Sequence, residues 1–111
     1  MADNLYLVFS KPPEGVSAEE YDRWYDLHVR ENIVSPGFLS ARRFEVTPAR
    51  DAPAEFSHLA LYEYAGDMSI WRTDLTRRID SGEIVLPEWF PQIGFGSWSA
   101  RPLTDRIEPE R

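Results

Sequence analysis

The order of elements in this 111-residue chain predicts an α+β protein of the split-βαβ, ferredoxin-like kind. Two observations carry that expectation. Hydrophobic periodicity runs strand, helix, strand, strand, helix, strand, giving β-α-β twice with no other repeat. The first and third strands are apolar on both faces, as the two central strands of a four-stranded antiparallel sheet should be when helices cover one side.

The first strand is Asn4 to Ser10 (NLYLVFS), with Leu5, Leu7 and Phe9 on one face and Tyr6 and Val8 on the other. Alternation has period two along a strand, so both faces carry bulk. Lys11-Pro-Pro-Glu-Gly15 is a loop by its prolines and glycine.

The stretch from Val16 to Phe38 is the most informative in the chain. It reads as one amphipathic helix closed by Pro36-Gly37. Ser17 with Glu20 forms a capping-box pattern, and Val16 can staple onto Tyr21. At about 100° per residue, Tyr21, Trp24, Tyr25, His28 and Asn32 fall on one side. Glu19, Asp22, Arg23, Asp26 and Arg30 fall on the other. An ordinary core stripe would be Leu, Ile and Ala; this one is three aromatic rings, an imidazole and an amide.

Phe38 to Val46 is a second strand of mixed, charged character, as an edge requires. Thr47 to Glu55 is a loop. Phe56 to Tyr64 is a third strand, with Leu59, Leu61 and Glu63 opposite His58, Ala60, Tyr62 and Tyr64. Asp67 caps a second helix that Gly82 ends, and Met68, Trp71, Leu75 and Ile79 form its core stripe. Glu83 to Pro91 is an apolar loop too rich in proline for a regular element. Ile93 to Ala100 is a fourth strand whose alternate glycines, Gly94 and Gly96, imply a close approach by another group. The domain is expected over residues 1–101, with a charged, flexible tail over 102–111.

If the leucines face the helices, the other sheet face presents Tyr6, Val8, Ala60, Tyr62 and Trp98. That patch is too large to leave in water, so a second copy packing sheet to sheet is expected. The net charge of −7, from 19 acidic and 12 basic residues, disfavours phosphate backbones and anionic lipid. Nucleic acid and membrane are therefore not expected partners. Arg42-Arg43 and Arg77-Arg78 read as solvated charges. No apolar run is long enough to span a membrane, the N-terminus lacks a signal peptide's basic region, and the chain has no cysteine. A cytoplasmic location is expected.

His28 is the candidate general acid or base, since its ordinary pKa of about 6.5 leaves both protonation states accessible. A core histidine bonded to a carbonyl is the alternative reading. Tyr62 can supply a phenol or serve as an interface residue. Two histidines without metal-ligand spacing give no metal site, and no glycine-rich nucleotide motif is present, so no cofactor is expected.

The element order, the W-Y-x-x-H of Trp24, Tyr25 and His28, and the following Pro36-Gly37-Phe38 resemble the dimeric α+β barrel superfamily. Within it the chain looks most like EthD-type proteins, over about residues 4 to 100. The resemblance implies a homodimer and a small hydrophobic or aromatic ligand. It implies chemistry such as cyclisation, dehydration, decarboxylation or isomerisation, or cofactor-free monooxygenation. The helix histidine carries over onto His28. On this reading Tyr21, Trp24, Tyr25, Asn32 and Tyr62 bind substrate. A non-catalytic ligand-binding dimer is the alternative of another class.

Overall fold

A computed structural model describes residues 4–110. The elements are β1 (Asn4–Lys11), α1 (Ala18–Asn32), β2 (Phe38–Glu45), β3 (His58–Tyr64), α2 (Met68–Asp80), a 3-10 turn (Phe90–Gln92) and β4 (Gly94–Ala100). The strands form one antiparallel sheet in the order β2-β3-β1-β4. This is the ferredoxin-like βαββαβ arrangement, with β1 and β3 central.

Both helices lie on one face, and the registers identify it. Tyr6 faces Tyr62 across the β1–β3 ladder, Ser10 faces His58, and Phe38 faces Tyr64 across β2–β3. Tyr21 of α1 donates to Ser10, and Asn32 of α1 to Tyr62. Trp71 of α2 packs on Tyr6, Phe38 and Tyr64. The covered face is therefore the tyrosine face, not the leucine face expected from the sequence. Leu5, Leu7, Phe9, Leu59 and Leu61 are only half-buried on the opposite, open side. Trp98 sits opposite Leu7 and is 57% exposed there. The physical reason is that hydroxyls on the covered face find partners in the helices, so rings with polar tips can be buried there.

Helix α1 starts as its cap predicts, with Ser17 accepting from the Glu20 amide at 3.1 Å. It stops at Asn32, four residues before Pro36, rather than at the Pro-Gly pair. The Val34 and Ser35 amides turn back to Glu31 and Asn32, tightening the last turn. Gly37 then takes φ +99, and an added Cβ there would press on the Ala65 carbonyl at 3.3 Å.

The loop expected over 83–91 ends in the 3-10 turn, and Ile93 closes that turn instead of opening β4. β3 begins at His58, two residues later than expected. The close approach foreseen at the glycines is found at Gly96, where a Cβ would meet the Phe56 and Trp98 rings at 2.9–3.0 Å.

Arg78 is not the solvated charge expected. It is buried, paired with Glu83 and bonded to the Ser35 hydroxyl at 3.0 Å. Ser35 in turn donates to Asp74 at 2.7 Å, so the turn after α1 is tied to α2. Part of the expected tail, 102–111, lies outside the described residues, as do residues 1–3 of the domain. From Arg101 to Glu110 the chain carries no helix or strand and is exposed.

Candidate functional site

The last turns of α1 stand over the centre of the sheet, where the aromatic stripe meets the tyrosine face. Between them lies a cavity of about 290 Å³. Tyr25, His28 and Asn32 from α1 and Tyr6, Val8 and Tyr62 from the central strands form one side. Leu75 and Ile79 of α2 close another, and Phe90, Phe95 and Ser97 complete it from the 3-10 turn and β4. Among the described residues, no lysine, arginine, aspartate or glutamate lines it. The volume suits one or two fused rings, and the wall suits a flat, uncharged ligand.

His28 is 8% exposed and stacked on Trp24, with ring centroids 4.8 Å apart and planes 18° from parallel. Its Nδ1 is buried without a hydrogen-bond partner among the described residues. Burial among aromatic rings lowers its pKa to about 4. At neutral pH the imidazole is therefore uncharged.

Asn32 is held by the end of α1, and its Nδ2 donates to the Tyr62 hydroxyl at 3.1 Å. Burial raises the Tyr62 and Tyr25 phenols well above their usual range, so both stay protonated. Tyr21 and Trp24 do not line the cavity. Tyr21 is fully buried and donates to Ser10 at 2.7 Å, while Trp24 stands behind His28 and against Trp89. These two shape the wall from one layer back.

His58 is on the helix-covered side, not on the side of the open face or at its rim. It packs edge-on to Tyr21 and bonds Ser57 through Nδ1 at 2.9 Å. Its Nε2 lies 3.9 Å from Asp22, which Arg43 binds at 2.6 Å. His28 and His58 belong to separate cavities. No group of three or more His, Cys, Asp or Glu among the described residues could hold a metal ion.

Sequence reasoning missed Ser10, Leu75, Ile79, Phe90, Phe95 and Ser97. Ser10 carried a signal: a serine ending an otherwise apolar central strand. Leu75 and Ile79 fall on the expected core stripe and gave no sign that half of it borders empty space. Tyr6 and Val8 were expected at a sheet-to-sheet contact and are part of the cavity wall instead.

No family model matches the sequence, and no curated protein matches it. Among solved structures, the chain is similar to a candidate monooxygenase from Shewanella loihica PV-4. That match has a TM-score of 0.60 at 13% identity, covering 95% of this chain and 99% of the other. Such a likeness establishes the shared fold alone. No helix among the described residues is long and apolar enough to cross a membrane.

Proposed function

We propose that the protein is a small cofactor-independent enzyme that moves a proton on an aromatic or polyketide-like molecule, with His28 as the base. The single observation that carries this reading is an uncharged imidazole at the wall of a cavity that is otherwise aromatic, aliphatic and neutral. In the first step the imidazole nitrogen takes a proton from an acidic carbon or a phenol. The electron pair left behind spreads onto a carbonyl oxygen, where the Tyr62 phenol stabilises it. Cyclisation, dehydration, decarboxylation and isomerisation differ only in what that electron pair does next.

The aromatic surroundings favour a weak base over a strong one, so the substrate proton must itself be acidic. On this reading the chain is an EthD-type protein, which the resemblance carried by Trp24, Tyr25, His28 and Pro36-Gly37-Phe38 supports. It acts in the cytoplasm as a homodimer. Leu5, Leu7, Phe9, Leu59 and Leu61 with Trp98 make a continuous apolar face that a second sheet would cover.

A cofactor-free monooxygenase is the second reading, favoured by the candidate monooxygenase of the same fold. It begins with the same deprotonation and differs in consuming oxygen. Single-turnover assays of His28→Gln on a panel of polyketide-like and phenolic substrates test the common step. A loss of about 10² to 10⁴ in rate is expected with the fold retained. Full activity in a folded His28→Gln would overturn both readings. Oxygen uptake matching product one to one would favour the second.

A further inference from the structure

Burial of the cavity wall falls strand by strand across the sheet. On the deep side are Tyr62 of β3 and, from α1, Tyr25, His28 and Asn32, all 2–8% exposed. Tyr6 and Val8, on β1, are half-buried. Phe95 and Ser97, on β4, are exposed, Phe95 by 40%. The registers draw the same line, since Val8 lies between Ala60 of β3 and Ser97 of β4. Neighbouring strands are about 4.8 Å apart, so β3 to β4 spans about 10 Å. β4 is an edge strand of the sheet, and the wall ends there. The cavity is a slot, deep under α1 and open at β4.

The chemistry of the wall follows the same gradient. The deep end holds an imidazole, a carboxamide and two phenols. Toward the mouth, Val8, Leu75, Ile79 and Phe95 offer carbon alone, and the Ser97 hydroxyl is open to water. A polar group shut away from water costs free energy wherever a ligand gives it no partner, whereas an exposed one is served by solvent. The deep end therefore calls for a ligand's oxygens, and the mouth calls for nothing. We propose that the cavity takes its ligand end-on, oxygenated ring first. It selects ring compounds with their oxygens at one end and accepts a further ring or chain at the other, which projects past Phe95 and Ser97 into solvent. The inference rests on the cavity being the ligand site of the proposed enzyme, but not on His28 acting as a base.

The test compares 2-naphthol with 6-propoxy-2-naphthol and 3-propoxy-2-naphthol, which carry one chain at the end remote from the hydroxyl or beside it. Binding to the intact protein is measured calorimetrically. The 6-propoxy compound should bind within about twofold of 2-naphthol, because its chain leaves through the mouth. The 3-propoxy compound should bind about tenfold more weakly or worse, as a group forced into a packed wall does. Ser97→Trp sets a ring in the mouth at an exposed position. It should weaken the 6-propoxy compound about tenfold more than it weakens 2-naphthol. Ser97→Thr adds one methyl and should keep the native order of the three.

Equal binding of the two propoxy compounds, or tighter binding of the 3-propoxy one, would overturn the proposal. So would a folded Ser97→Trp that treats 2-naphthol and the 6-propoxy compound alike. If no probe binds, the proposal falls together with the cavity's role as the ligand site. His28→Gln should keep the preference for the remote chain. No such preference beside His28-dependent turnover sinks this inference alone, and a clear preference beside active His28→Gln sinks the base reading alone.

Discussion

The two faces of the sheet bury their rings in different company. On the covered face Tyr6, Ser10, His58, Tyr62 and Tyr64 meet a helix that is itself tyrosine, tryptophan, histidine and asparagine. Polar tips are threaded through that contact: Tyr21 to Ser10, Asn32 to Tyr62 and Tyr64 to Ser99. On the open face Leu5, Leu7, Phe9, Leu59 and Leu61 have no polar tip, and no helix among the described residues covers them. The covered face is directional and encloses a cavity; the open face is plain apolar area. An apolar face can be shared with any complementary surface, whereas a hydrogen-bonded face is specific to the helices it was built with.

The largest effect should come from charging the open face. Leu61→Asp puts a carboxylate where the proposed second sheet would sit, which costs several kcal/mol for an unpaired charge. If the proposed dimer forms, sedimentation velocity should show the variant as a monomer at concentrations where the native chain sediments as a dimer. Leu27→Asp, at a helix position 57% exposed, is the control and should leave the species unchanged. A native chain that already sediments as a monomer would break the contrast between the faces.

Next in size is a pH effect on the covered face. His28 has its pKa lowered to about 4 by burial, below the ordinary 6.5 of the unfolded chain. The folded state therefore binds fewer protons between those values. Stability should be fully present above pH 6.5 and fall as pH drops toward 4, by about 3 kcal/mol in all. Urea denaturation across pH 7 to 4 should show the slope, and His28→Gln should remove most of it. His58, whose pKa burial also lowers, adds a smaller slope of the same sign.

The smallest effect sharpens the account of the polar tips. Tyr21→Phe removes the bond to Ser10 and keeps the ring, so it should cost about 1 kcal/mol in denaturant melts. A null result would mean the ring alone holds α1 to β1.

The fold was legible because periodicity and order are local signals. The capping pattern at Ser17, the stripe from Tyr21 to Asn32 and the doubly apolar β1 and β3 needed no knowledge of the rest. Which face the helices cover was not legible. Alternation places Leu7 opposite to Tyr6 but does not say which points inward. The deciding fact is a set of partners far apart in sequence, such as Asn32 with Tyr62. The cavity was half legible for the same reason. Tyr25, His28 and Asn32 stand on one helix, while Leu75, Phe90 and Phe95 reach it only through the folded chain.

The stacking of His28 on Trp24 has an optical consequence. An imidazole lying 4.8 Å from an indole, nearly parallel to it, is in contact with the ring's electron-rich face. When that imidazole takes a proton, the positive charge is held against the π cloud, which partly offsets its lost hydration. An excited indole hands charge readily to such a cation, so its emission should dim when His28 is protonated. Trp24 is thus a reporter placed on the proposed catalytic base. The difference in emission between the native chain and Trp24→Phe, followed in stopped flow with substrate, would time the proton's arrival on His28.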